Sequence, residues 1–228
     1  MNQLLPVKVW DLPTRLFHWS LVLLIIFQWA TASESVYYNM TWHSYGGYAI
    51  LCLLAFRLLW GFFGNQYARF WQFTYSPITS LHYLLGLFKS EQKVYLGHNP
   101  LGAYSVFALL LLILIQAVTG LFADDDIFTT GPFAHWVSGD TRQGMTSIHY
   151  WNFNVLLAFI ALHLSAILFY LLVKRDNLVR PMITGKKWVT PETTPHSVSQ
   201  TPLWLALLLF GIATGLVLFI VLYVPSWR

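Results

Sequence analysis

Residues 148–173 read IHYWNFNVLLAFIALHLSAILFYLLV, an apolar run with no lysine, arginine, aspartate or glutamate. As a helix it is long enough to cross the roughly 30 Å hydrocarbon core of a bilayer. Two ionisable residues stand inside it, His149 and His163, 14 positions apart. At about 100° per residue that spacing returns to within roughly 40° of one helix face, some 21 Å along the axis. One face therefore carries two imidazoles at two depths. Ionisable side chains at such positions are costly in lipid and mark function by default.

The rest of the chain has the same character. Of its 228 residues, 57% are hydrophobic and 10% charged, against roughly 45–50% and about 25% in an ordinary soluble domain. A backbone in lipid must satisfy its own hydrogen bonds, which leaves helices or a closed barrel. Long unbroken apolar runs, without strand-like alternation, select helices. Five reach spanning length: about residues 16–32, 43–63, 101–122, 148–173 and 203–224. The expected fold is all-α, an integral membrane bundle with a four-helix core over about residues 8–185 and a fifth helix at 203–224. Ala30-Thr31-Ala32 resembles a small-residue cleavage site, so a signal peptide competes for the first run; its histidine and its position beside a second membrane run favour a retained helix. Residues 66–88, aromatic and interrupted by Pro77, read as a segment lying along the membrane surface. Residues 186–201 read as a polar linker, and 123–147 as the longest external loop.

Basic residues orient the bundle. Lys8, Arg15, Arg69, Lys89, Lys93, Lys174, Arg175, Arg180, Lys186 and Lys187 fall on one side; Arg142, Arg228 and the acidic run Asp124-Asp125-Asp126 fall on the other. The positive-inside rule then places the N-terminus in the cytoplasm and the C-terminus outside. The net charge of +4 reflects this topology and requires no nucleic-acid partner. Cys52 is the one cysteine, so neither an internal disulfide nor a C-x-x-C-H haem attachment is possible.

Helix direction sorts the histidines by level. His18 lies near the cytoplasmic end of the first run and His43 near the external end of the second. The fourth run passes from outside to inside, which sets His149 level with His43 and His163 level with His18. Two cross-helix pairs suit bis-histidine ligation of two non-covalent haems, each imidazole offering one nitrogen to iron and the other to an orienting hydrogen bond. A zinc or copper site instead wants three or four ligands at one depth. Gly46 and Gly47, about a turn from His43, would leave room beside a porphyrin, or serve close helix packing. Arg57, 14 residues after His43, would meet a haem propionate or snorkel to lipid phosphate. His82, His98, His135 and His196 fall in loops or at helix ends, where solvated or interfacial roles are expected, His98 being a partial exception.

Arg15-x-x-His18-Trp19, His43 with Gly46 and Gly47, Gly97-His98-Asn99-Pro100-Leu101-Gly102 and the His149/His163 spacing together resemble the bacterial cytochrome b561 family, which is similar to the b-type cytochrome subunits of nickel-iron hydrogenases and formate dehydrogenases. The resemblance spans about residues 8–185 and implies two haems b passing electrons between the quinone pool and a partner. It implies a quinone site beside the cytoplasmic haem, near His163 and Asn99, with His98, Arg15 or Asp11 relaying protons. Asn99-Pro100 also reads as a helix cap and first turn. The chain has no iron–sulfur cysteine cluster or dinucleotide fingerprint, so substrate chemistry falls to a partner, a periplasmic c-type cytochrome or an oxidoreductase module. The alternative is a self-sufficient superoxide:quinone oxidoreductase using the same haems. The fifth helix departs from the four-helix versions of the family, leaving packing or partner contact as its expected role.

Overall fold

The computed structural model describes residues 4–88, 94–125, 129–195 and 200–227. Lys89, Lys93, Asp126, His196 and Arg228, used above for orientation or as surface histidines, lie outside the described residues. A short strand β1 (Leu5–Lys8) leads into α1 (Leu12–Ala32) and α2 (Met40–Phe63); two 3-10 turns and α3 (Pro77–Leu85) then lead to α4 (Pro100–Phe122). The long α5 (Gly139–Leu172), a one-and-a-half-turn α6 (Val179–Thr184), strand β2 (Lys186–Val189) and α7 (Leu203–Leu218) complete the chain, α7 continuing as a π-helical stretch to Tyr223. Five helices are long and apolar enough to cross a membrane: α1, α2, α4, α5 and α7 with its extension. Leu162, Leu172 and Leu207 are at least 64% exposed on them, a surface that only lipid solvates without penalty.

The helix starts are written in capping residues. Asp11 Oδ1 accepts Thr14 N–H at 2.6 Å, Asn39 caps α2 through Trp42 N–H, and Ser76, Asn99 and Ser138 cap α3, α4 and α5. Each satisfies an N–H that the first turn leaves orphaned. Pro77 does not interrupt its segment; it opens α3 as the first helical residue, where a missing N–H costs nothing.

Two expectations change. Helix α5 begins at Gly139, nine residues before the apolar run, so the external loop is shorter than 123–147. Ser138 and Asp140 start the helix in polar sequence that hydropathy passes over, and an ion pair between Arg142 and Asp124 at 2.9 Å ties this overhang to the chain end leaving α4. The stretch 186–201 is not a linker throughout. Its first four residues form β2, which pairs antiparallel with β1, Leu5 opposite Val189 and Lys8 opposite Lys186. Val7, Val9 and Val189 bury there against Trp10, Tyr67 and Leu96.

The core lies where α1, α2 and α4 meet, around Phe17, Leu21, Ile50, Leu54, Trp60 and Ile113. Helix α7 packs along α2 through buried Ala206, Leu209 and Ala213, with Phe210 edge-on to Phe56, so the fifth helix is part of the bundle. Helix α5 packs extensively on α4 and hardly at all on α1 or α2. At the face carrying the N-terminus, here the near face, Arg15 donates to the Ile183 carbonyl and Trp19 Nε1 to that of Met182. These bonds and the β1–β2 pair fasten α1 to the segment after α5.

Gly61 of α2 is buried, and a Cβ there would overlap the Phe70 ring. Gly61→Ala is expected to cost about 1–3 kcal/mol by overpacking, seen as a lower thermal midpoint in detergent; an unchanged midpoint would contradict this packing.

Candidate functional site

The face opposite the N-terminus, the far face, brings His43 from the first turn of α2 against His149 from α5. Their ring centroids are 6.2 Å apart and the planes 74° to each other. His43 Nδ1 lies 3.1 Å from the Gln28 carbonyl and 3.3 Å from Thr31 Oγ1. His149 Nδ1 lies 2.9 Å from the Gln116 carbonyl and 3.3 Å from Thr119 Oγ1. A carbonyl can only accept, so each Nδ1 carries the proton and each Nε2 keeps its lone pair for a metal.

The two halves of this site mirror each other. Gln28-Trp29-Ala30-Thr31 closes α1 and Gln116-Ala117-Val118-Thr119 nears the end of α4; each presents a carbonyl and a threonine hydroxyl to the histidine of the following long helix. Thr31 is fully buried and Thr119 nearly so. Each hydroxyl also donates to the carbonyl four residues back, Phe27 at 2.8 Å and Ile115 at 2.7 Å. Asn152, one turn after His149, donates to Gln116 Oε1 and the Leu112 carbonyl, while Gln116 Nε2 donates to the His149 carbonyl. Sequence reasoning gave Gln28, Thr31, Gln116, Thr119 and Asn152 no role beside the histidines, although the repeated Gln-x-x-Thr is visible in the sequence.

The arrangement fits a haem held by two imidazoles. An iron at about 2 Å from each Nε2 would set the ring centroids roughly 6 Å apart, and they stand 6.2 Å apart. Helix α5 makes few contacts with α1 or α2, so the two histidines meet across helices that are not otherwise closely packed. Among the described residues no three or more His, Cys, Asp or Glu side chains converge on a point, so the donor set is a pair. Gly120 lies beside this pair: a Cβ there would stand 3.0 Å from His149 Cε1. Gly46 and Gly47 both face Gln28 of α1, where a Cβ at Gly46 would overlap its Oε1; their contacts serve the close approach of α1 and α2.

At the near face His18 of α1 and His163 of α5 lie within electrostatic range of each other. His18 Nδ1 is shielded from solvent and has no hydrogen-bond partner, and its ring meets Trp19 edge-on at 5.0 Å. Arg57 is 3% exposed, its guanidinium 4.6 Å over the Phe70 ring and its Nη1 without a partner. No carboxylate among the described residues forms an ion pair with it; Asp11 is only within electrostatic range, with Oδ1 capping α1 and Oδ2 accepting Trp60 Nε1. His98 sits between Trp10 at 4.7 Å and Phe73 at 4.4 Å, with Nδ1 shielded and unpartnered. Burial, with Arg57 and then His163 in range, holds its imidazole at about 3, so it is neutral at physiological pH. The exception made for His98 among the histidines outside the long helices is given content by this aromatic packing. His82 lies on α3 and His135 in a 3-10 turn.

The residues grouped for a quinone site divide. Asn99 Oδ1 caps α4 through Gly102 N–H at 2.7 Å, and its Nδ2 donates to Tyr170 Oη at 2.9 Å. It lines a cavity of about 380 Å³ with Tyr83 and Tyr170. Arg15, His98 and Asp11 do not line that cavity; Arg15 and Asp11 hold chain ends together. Thr31→Val combined with Thr119→Val removes one acceptor from each Nδ1 and is expected to weaken haem retention about tenfold, measured as haem loss to an apo-globin acceptor; an unchanged rate would deny the threonines this role.

The profile of the prokaryotic cytochrome b561 family matches residues 9–185. Among curated proteins, the probable Ni/Fe-hydrogenase B-type cytochrome subunit of Rhodobacter capsulatus is 26% identical over 214 residues, covering 79% of this chain and 81% of that protein. The protein of the same name from Rhizobium leguminosarum bv. viciae is also 26% identical, over 79% and 88% of the two chains. The probable Ni/Fe-hydrogenase 1 B-type cytochrome subunit of Escherichia coli (strain K12) is 23% identical, over 78% and 88%. No solved structure matches the chain. A multi-pass helical bundle, a histidine pair of haem-ligating geometry and a profile match over most of the chain converge: the chain belongs to the prokaryotic cytochrome b561 family, membrane-embedded b-type cytochromes of electron transport.

Proposed function

We propose that this protein carries electrons across a bacterial inner membrane between the quinone pool and a redox partner on the far, periplasmic side. Two haems b, ligated by His43 with His149 at the far level and by His18 with His163 at the near level, supply reversible one-electron chemistry at two depths. The observation that carries the proposal is the 6.2 Å His43–His149 ring pair with both Nδ1 atoms tied to helix carbonyls. The di-haem unit takes in about residues 8–185, with 203–224 as an additional helix packed on α2.

Each residue contributes in a distinct way. Helix α5 would supply one of the two histidines at each level, and a haem held by two imidazoles would supply electron transfer rather than substrate binding at the metal. Arg57 is a buried cation with an unpartnered N–H beside the near level. It would hold a haem propionate, an anion that would offset its desolvation. Basic residues on the near side orient that side to the cytoplasm. A quinone exchanges electrons at the near level beside Asn99. Relatives named as hydrogenase cytochrome subunits favour an oxidoreductase module as the far-side partner, with a soluble c-type cytochrome in the same role as the other candidate.

The reading as a superoxide:quinone oxidoreductase needs free positive charge to draw an anion to the far face. Arg142 there is ion-paired with Asp124, which favours the electron-carrier reading.

Purified protein is expected to hold two haems per chain with b-type reduced-minus-oxidised bands. His43→Ala or His149→Ala should each leave only the near haem, and His18→Ala or His163→Ala only the far one. Loss in mismatched pairs, such as His43 with His163, would refute the assignment of levels.

A further inference from the structure

The near-face cavity lined by Asn99, Tyr83 and Tyr170 also takes in Asp176, Lys187 and Trp188. At about 380 Å³ it is in the size range that accommodates a small ligand ring. Its polar wall is a chain of hydrogen bonds with a fixed count of protons. Asn99 Nδ2 donates to Tyr170 Oη, and Tyr170 Oη lies 2.6 Å from Tyr83 Oη. The two hydroxyls own two protons, and the bond between them uses one. The other meets no acceptor among the hydrogen bonds of the described residues. Whichever tyrosine holds it, the pair retains one donor, and the Asn99 bond polarises it through Tyr170. Lys187 does not compete as a binding cation, because its Nζ is held by Asp176 at 2.7 Å and the Tyr95 carbonyl at 3.3 Å. Lys174 is the other cation of the lining; the spare hydroxyl proton itself suits a hydrogen-bond acceptor such as a carbonyl oxygen.

Position narrows the ligand further. Tyr170 follows His163 by seven residues on α5, which is two turns, about 10 Å, on nearly the same face. The donor therefore stands in line with the near-level histidine. Tyr83 lies on α3, whose Ile78, Leu81 and Leu85 are 67%, 53% and 69% exposed, an apolar side suited to the lipid boundary. A ring that arrives from lipid and presents a carbonyl oxygen matches this setting. Burial, and then the bond to Tyr170, push the Tyr83 phenol above its ordinary range, which keeps it a protonated donor at physiological pH.

We infer that the Tyr83–Tyr170 pair donates the hydrogen bond to one carbonyl oxygen of a quinone ring seated in this cavity, with Asn99 a positioning residue that acts through Tyr170. This rests on the reading that the chain exchanges electrons with quinone. It places a hydroxyl donor beside Asn99, which spends Oδ1 on the Gly102 N–H and one Nδ2 hydrogen on Tyr170, and separates the site from Arg15 and His98.

The test is equilibrium binding of decyl-naphthoquinone to the full-length haem-loaded protein in lipid nanodiscs. Tyr83→Phe with Tyr170→Phe should weaken binding about tenfold, the scale of one lost hydrogen bond, with the haem spectrum unchanged. Tyr104→Phe, which removes a hydroxyl bonded elsewhere to the Tyr75 carbonyl, should bind as wild type does. Equal affinity in the double variant overturns the tyrosine assignment and leaves the quinone reading standing. Absence of quinone binding to the wild type overturns both. If the double variant loses its haem spectrum, the wild type decides alone: decylnaphthalene, which has the ring and tail but no carbonyl, should bind about tenfold more weakly than the naphthoquinone, and equal affinity overturns the inference.

Discussion

The bond from each far-level imidazole Nδ1–H to a carbonyl of the neighbouring helix is the interaction on which the rest of this structure depends. It satisfies a polar group where water is scarce, fixes the tautomer and leaves each Nε2 with its lone pair. To make it, helices must approach closely at two places. Gly46 and Gly47 let α2 close on Gln28 of α1, and Gly120 lets α4 close on the His149 ring. Within the bundle, α1 with α2 and α4 with α5 form two helix pairs, each using a Gln-x-x-Thr turn to grip one histidine. The space between the pairs is where the histidines meet.

Near-face contacts hold the pairs in register. The β1–β2 ribbon joins the start of the chain to the segment after α5, and Arg15 and Trp19 bond to carbonyls in the same segment. Trp60 Nε1 reaches Asp11 across α1 and α2, while Asn65 accepts the Thr201 N–H and so anchors the approach to α7. Irregular backbone gathers beyond the helix ends because lipid-exposed peptide groups need a partner. The polar cluster of Arg57, His98, His18 and His163 lies under this cover, several of its donors still without acceptors.

Much of this was legible in the residues themselves. The cost of polar groups in lipid makes apolar runs easy to recognise, and α2, α4 and α7 with its π-helical extension lie within about three residues of the expected spans. The start of α5 was not legible from hydropathy, because its first two turns are polar and are held by a cap and an ion pair. The ribbon escaped notice because each strand is four residues long and means nothing without its partner across the chain. Two histidine levels follow from spacing and helix direction, whereas the grip on His43 and His149 required knowing that the ends of α1 and α4 lie beside them. Tyr83 and Tyr170 were invisible for the same reason: 87 residues separate them, and only the fold puts them in contact.

The central claim is that histidines fill both axial positions of iron at each level. The electron paramagnetic resonance spectrum of the oxidised, haem-loaded protein tests it most directly. Two low-spin ferric species of equal weight, with no high-spin signal and no change on adding cyanide, are the predicted result; a high-spin or cyanide-binding species accounting for half or more of the iron would contradict it.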